Sequence, residues 1–446
     1  GLNTPSAGTP TQNINRSGAP QLFISWQADD PDNDRLLYSI SYRAEDERDW
    51  KLLKFDLLDN SYLHDAEVFA DLKDPNTVVA HFSQGGLGLP ERDYYLSTDA
   101  EKKTLRAAYE KHVAKMLVLS GLPAAEAAKQ AKAILVFETA LAKASRPIEA
   151  MRDVQKLHHR LDAPGLAKLT PKLPWERYYV AFGQSDLAAI NVMTPEFFPA
   201  LEKEIARASL PTLKAYLRYE TLSATAGLLP DAIYQQHFDF QGRTLAGQKE
   251  PQPRWKRCIT ATEQAMGEAI GQLYVKERFA GNSKELALDM IHGIADAFAA
   301  SLPALTWMDE TTRQAALVKK GTLAWKIGYP EEWRDYSKLT IVRSSLFANA
   351  VAARGFEASR LLAQVGKPVD RKEWGMNAQT VNASYNPLQN AFTYPAGILQ
   401  PPFFHKDFPV AMNLGAMGFV IGHELTHGFD DQGSKFDSKG SMTDWW

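Results

Sequence analysis

The sequence predicts a mainly α protein with a short β module at its front, and three observations predict it. Between about residues 76 and 370, stretches rich in Ala, Lys, Glu and Leu carry apolar residues at helical spacing. Residues 19–70 instead alternate apolar and polar side chains between Asp, Asn and Pro turns. Near the end, an apolar helical run over residues 411–422 leads directly into two histidines four residues apart.

The elements follow in chain order. Residues 1–18 are rich in Gly, Ser, Thr, Pro and Asn, the composition of a flexible lead-in. Strands are expected at Gln21–Trp26, Leu36–Arg43 and Asp49–Phe55. Residues 19–70 thus form a small β module with a faint likeness to a fibronectin type III domain, too short for the usual seven strands. Asp30, Asp32 and Asp34 invite a calcium reading, but an EF-hand loop needs Gly and a late Glu where Arg35 and Ser41 stand, so a plain turn is expected. Helices are expected at Ala100–Leu119, Pro123–Lys143, Pro211–Leu228, Thr262–Phe279 and Lys284–Leu302. Pro147, Pro164, Pro171 and Pro174 punctuate a connecting region. Residues 71–375 read as helical scaffold, and residues 376–446 as the region that carries the chemistry.

Composition narrows the function classes. The chain has 446 residues, 45% hydrophobic and 23% charged, with a formal net charge of −3, which gives no broad electrostatic case for nucleic acid. Length points to two or three domains with ample core. The single cysteine, Cys258, excludes an internal disulfide framework and is expected to be a buried small hydrophobe. No stretch approaches the roughly 18 apolar residues of a membrane span. The cationic start and apolar run of a signal peptide are absent too, although Gly1 in place of Met leaves room for a leader upstream.

The chemistry concentrates in His423-Glu424-Leu425-Thr426-His427. Residues four apart stack on one helical face, so His423 and His427 can hold a metal ion between them with Glu424 beside it. The plain alternative is two surface histidines and a helix-favouring Glu. Context argues against it: the preceding segment is apolar on nearly every side, as in a buried helix, and metal ligation would give the imidazoles a partner there. Gly415, Gly418 and Gly422 would let a backbone or substrate come close. Asp430 reads either as the acceptor for a ligand imidazole N–H or as a carboxylate at the helix end. Asp431, before Gln432-Gly433, reads as turn chemistry. Pro395, Pro401 and Pro402 suit neither a helix interior nor a central strand and predict a rigid loop feeding this helix, with Phe403 and Phe404 packed inside.

Asp430 and Gly433 stand where a metzincin needs Gly and His, which excludes that class. The surrounding words include Val381-Asn382-Ala383-Ser384-Tyr385, Phe392-Thr393-Tyr394-Pro395-Ala396-Gly397 and Val420-Ile421-Gly422 running into the histidine motif. With Gln84–Pro90, Arg92–Leu96, Arg254–Cys258, Leu305–Asp309, Ile327–Pro330 and Asp444–Trp446, they resemble the neprilysin family of zinc metallopeptidases from about residue 70 onward. The resemblance implies a zincin-type fold with two helical lobes around a central chamber. It also implies one Zn²⁺ per chain on His423 and His427, with Glu424 as general base in the hydrolysis of internal bonds of oligopeptides. By itself, Asn382-Ala383 reads as an ordinary edge strand; the resemblance makes it the edge on which substrate main chain pairs.

In the family the third ligand is a glutamate in a later Glu-x-x-x-Asp helix. The chain, ending at Trp446, is therefore expected to be cut short before it, and the β module to stand in place of the family's usual N-terminal portion. Two rival readings stay open: a catalytically incomplete or non-catalytic peptide-binding protein, and an exopeptidase. A periplasmic or extracellular place, with membrane anchorage through a segment ahead of Gly1, is favoured over the cytoplasm.

Overall fold

The computed structural model describes residues 40–42, 51–53, 67–181, 189–279 and 281–445. The chain divides into two compact units, residues 1–62 and 63–446. In the first, β1 (Ile40–Tyr42) and β2 (Lys51–Leu53) pair antiparallel, with Ile40 opposite Leu53. They fall inside two of the expected strands. The lead-in, the expected strand Gln21–Trp26 and Asp30, Asp32 and Asp34 lie outside the described residues.

The second unit is mainly helical. It opens on β3 (Glu67–Ala70), which pairs antiparallel with β4 (Val78–Phe82). With β5 (Arg160–Leu161) and β6 (Ile190–Val192) they form a four-stranded sheet in the order β3-β4-β6-β5. After the one-turn α1 (Asp93–Leu96) come α2 (Ala100–Leu119) and α3 (Ala124–Ala144), which pack against each other. The break between them is a Schellman ending: Gly121 takes φ +98°, Leu122 N–H reaches Leu117 O, and Gly121 N–H reaches Val118 O. Tyr109, Val113, Met116 and Leu117 recur at helical spacing and bury against Ala127, Ala131 and Ile134. Two short helices, α4 (Ala163–Leu169) and α5 (Trp175–Ala181), fill the proline-punctuated connection; α6 (Phe197–Arg207), α7 (Leu210–Thr225) and α8 (Asp231–His237) follow.

A separate core gathers around the later elements. α9 (Arg254–Arg278) begins eight residues before the expected helix, because its first two turns bury no apolar stripe that would mark them, and it contains one non-helical residue, Met266. Its leading half is solvent-facing, so Cys258 is exposed, not buried as expected. Next come α10 (Ser283–Ser301), α11 (Glu310–Gly321) and β7 (Ala324–Gly328). Asp309 caps α11 by accepting Thr312 N–H at 2.7 Å. After α12 (Leu346–Leu362), β8 (Ser384–Asn386) and β9 (Ala391–Pro395) complete a three-stranded sheet in the order β7-β9-β8, with β7 and β9 parallel and β8 antiparallel at one edge. Pro395 therefore ends a central strand, against expectation; the last position tolerates it, since Ala396 supplies the N–H to Gly328 O.

The final helix, α13 (Val410–His427), packs on α10 and β8. Met417, Ile421 and Leu425 enter a core with Ile291, Ala295, Phe392 and Tyr394, and Phe404 is buried in the same cluster. The expectation of burial on every side is corrected here. Val410 and Phe419 are 73% and 75% exposed, because among the described residues α13 is covered on one side only. A Cβ at Gly415 or Gly422 would meet nothing within 4 Å, and one at Gly418 would make only ordinary contacts with the Ile294 and Leu414 side chains, so these glycines are not sites of close backbone approach in the described residues. No described helix is long and apolar enough to cross a membrane.

Candidate metal centre

α13 delivers both imidazoles to one point: His423 Nε2 and His427 Nε2 lie 3.1 Å apart. Two nitrogens bound to one tetrahedral zinc at ~2.0–2.1 Å stand about 3.3 Å apart, so this pair fits a zinc ion. The second shell fits as well. The helix stops at His427, and the chain folds back so that Asp430 Oδ2 lies 2.7 Å from His427 Nδ1. A carboxylate there accepts a hydrogen bond from Nδ1–H and so favours the tautomer whose Nε2 lone pair is open to a metal. Asp430 Oδ1 meanwhile accepts N–H groups from Gln432 (2.9 Å) and Gly433 (2.8 Å). Both readings of Asp430 thus meet in one side chain, which closes the helix end with one oxygen and hydrogen-bonds His427 with the other. Among the described residues no group of three or more His, Cys, Asp or Glu converges to hold a metal.

Glu424 points toward the sheet. It is buried (6% exposed) on the side of α13 that packs against β8, the strand of Tyr385. Burial raises its pKa above the ordinary carboxylate range, against the opposing pull of His427 and the Tyr385 N–H. The Tyr394 phenol is pushed up by its own burial and then by the Glu424 charge. For Asp430, burial also works upward, but hydrogen bonds from Gly433, His427 and Gln432 prevail and hold it below the usual range. The two carboxyl groups are thus tuned in opposite directions.

Asn382 and Ala383 sit immediately before β8, Asn382 exposed and Ala383 buried. β8 has β9 on one side and no partner strand on the other among the described residues. The sequence-predicted residues therefore assemble at one place, with α13 supplying His423, Glu424 and His427, the following turn Asp430, and the sheet edge Asn382-Ala383. Asp431 forms an exposed ion pair with Arg152 at 3.2 Å rather than joining the site.

Sequence reasoning missed three contributors: the Tyr385 main chain, Lys319 and Asn390. Lys319 on α11 is 1% exposed and donates to Gly433 O and Phe436 O, each at 2.6 Å. Next to Lys320 it reads as half of a solvated pair; its one signal is that it falls three residues after the buried Ala316.

Two sequence models described as peptidase family M13 match the chain, over residues 33–330 and 382–446. The first takes in the β1–β2 pair, which therefore lies within the matched region rather than ahead of it. The chain is 36% identical to endothelin-converting enzyme 1 of Homo sapiens over 393 residues, covering 85% of this chain and 51% of that protein. It is 34% identical to an endothelin-converting enzyme homolog of Locusta migratoria over 422 residues, covering 90% of this chain and 58% of that one. The chain thus spans about half the length of these relatives. Among solved structures, zinc metalloprotease Zmp1 of Mycobacterium tuberculosis, in complex with an inhibitor, aligns with TM-score 0.80 and 37% identity over 85% of this chain and 57% of that one. PepO from Lactobacillus rhamnosis aligns with TM-score 0.80 and 28% identity over 86% of this chain and 61% of that one. On its sequence and its mainly helical fold together, the chain belongs to peptidase family M13.

Proposed function

We propose that this chain is the part of a zinc-dependent endopeptidase that carries its base and two of its zinc ligands, acting on internal bonds of oligopeptides. The observation that carries the reading is the pair of Nε2 atoms 3.1 Å apart, with Asp430 on the far nitrogen of His427 and Glu424 buried beside them. His423 and His427 would hold the metal. Bound there, zinc acidifies a water toward a pKa of roughly 7 and polarises the scissile carbonyl. Glu424 takes the proton from the attacking water and delivers it to the departing amine nitrogen; its raised pKa suits both halves of that task. The main chain at Asn382-Ala383 aligns the peptide as an added strand, with the Asn382 amide supplying further hydrogen bonds.

In the full-length protein, Glu424→Gln should keep stoichiometric zinc and lose peptide hydrolysis by about 10²–10⁴-fold, since an amide cannot accept the proton. Zinc content and turnover of a quenched peptide are measured on both forms. Near wild-type turnover would remove Glu424 from the mechanism, and absence of zinc in the wild type would remove the whole reading.

A further inference from the structure

We propose that Lys319 is a positioning residue for the metal centre, tying α11 to the turn that orients His427 and, through Asn390, to the strand on which α13 packs. The inference rests on the zinc reading above and concerns residues that reading does not use.

One arm runs from the Lys319 side chain. Its ammonium donates to Gly433 O and Phe436 O at 2.6 Å each and, among the described residues, forms no ion pair, with Asp437 and Asp430 the nearby carboxylates. The rings of Tyr385, Phe429 and Trp445 surround it at 5.9, 5.6 and 5.2 Å. Gly433 in turn donates its N–H to Asp430 Oδ1 (2.8 Å), whose other oxygen faces His427 Nδ1 at 2.7 Å. The turn has no slack. A Cβ at Gly433 would lie 1.9 Å from His427 O, so the backbone packs directly onto the ligand residue.

The second arm runs from the Lys319 main chain. Its carbonyl accepts Asn390 Nδ2 at 3.0 Å, and Asn390 Oδ1 accepts the Tyr385 hydroxyl at 2.9 Å. Asn390 is itself buried and held at φ +47°, a left-handed conformation that Asn tolerates better than most residues. Tyr385 lies in β8, the strand against which the helix carrying Glu424 packs.

A surface lysine could not make these contacts, and an apolar replacement would take the ammonium donor from the buried Phe436 O, while Gly433 O would keep only the Phe436 N–H at 3.1 Å. Lysine suits the place because three donors on one unbranched stem can reach two carbonyls from a neighbouring helix. The staple also joins the two family-matched stretches, since Lys319 lies in the first and the metal helix in the second.

The test uses the full-length protein and three variants: Lys319→Met, the milder Lys319→Gln, and Ala316→Gly. Ala316→Gly perturbs the same buried helix face without touching the carbonyls. Zinc affinity is measured by chelator competition, amide exchange over residues 428–437 in zinc-free protein, and stability by thermal melting. Lys319→Met should weaken zinc binding about 10–100-fold, as expected when support to a ligand is lost. It should also expose the Gly433 and Ser434 amides to exchange, and lower kcat more than it changes KM. Lys319→Gln should fall between, and it decides the matter if Lys319→Met does not fold. Ala316→Gly should lower the melting temperature and leave zinc affinity and exchange unchanged. Wild-type zinc affinity and protection in both Lys319 variants would overturn the proposal. So would an equal loss of zinc affinity in Ala316→Gly, which would make the role one of stability alone. A wild-type protein that binds no zinc, or a His427→Ala variant that binds it unchanged, overturns the zinc reading itself; the exchange data still report separately whether Lys319 holds the turn.

Discussion

Glu424 and Asp430 flank the same helix end, and their surroundings push their pKa values in opposite directions. Buried Glu424 has a raised pKa, whereas Asp430, fed by two backbone N–H groups, has a lowered one and lies 2.7 Å from His427 Nδ1. Asp430→Ala should therefore weaken zinc binding about 10–100-fold without abolishing it. Chelator competition reads this out, and an unchanged affinity would reduce Asp430 to a helix-end carboxylate. A second buried acid lies far from the metal helix. Glu138 is fully buried and accepts the Tyr95 and Tyr109 hydroxyls at 2.8 and 2.9 Å. Burial first, then neighbouring Glu220, raises its pKa from 4.5 to about 8. The sign follows from linkage: a group whose folded pKa is raised favours folding in its protonated form, so that contribution is complete below about pH 4.5 and is lost as pH rises toward 8. Each pH unit inside that window should cost up to about 1.4 kcal/mol. Urea melts at pH 5, 7 and 9 should show stability falling with pH, and Glu138→Gln should shrink the fall. Parallel curves for the two proteins would rule Glu138 out as its source.

Among the elements, α13 repays the closest comparison of glycines. At Gly415 a Cβ meets open space on an exposed helical face, so Gly415→Ala should stabilise the protein by about 0.5–1 kcal/mol through lower backbone entropy in the unfolded chain. Gly433 lies just past the helix, with His427 O where its Cβ would go. Gly433→Ala should destabilise the protein and release the Asp430 turn; a melt at or above the wild-type temperature would contradict the tight packing described. α2 and α3 were legible in the sequence because their apolar period is regular and Gly121 and Pro123 punctuate them. α9 was not, since its leading half buries no apolar stripe and Met266 departs from helical geometry inside it; Gly267, directly after Met266, is the local signal that the apolar pattern passes over. The exposed face of α13 was illegible for another reason: an all-apolar run does not record which of its sides meets the rest of the chain.

At the scale of the whole molecule, the site divides into a part written in one helix and a part assembled across the chain. His423, Glu424 and His427 were readable because a helix puts fixed spacings on fixed faces. Lys319 and Asn390, which reach them from 104 and 33 residues before His423, were not, since nothing local ties a lysine on α11 to carbonyls beyond α13. The same division bears on substrates. If recognition works by adding a strand at the free edge beside β8, the peptide must be extended and its main chain accessible, which a folded domain does not offer. Enclosure by the surrounding helices would sharpen that selection. The full-length protein should therefore cut flexible oligopeptides at internal bonds and leave native albumin intact. Asn382→Ala should cost on the order of 1–3 kcal/mol in kcat/KM by removing side-chain hydrogen bonds to the peptide, with zinc content unchanged. Mass spectrometry of the digests separates the readings. Internal fragments from oligopeptides and none from albumin are expected, whereas stepwise release of single terminal residues would replace the endopeptidase with an exopeptidase.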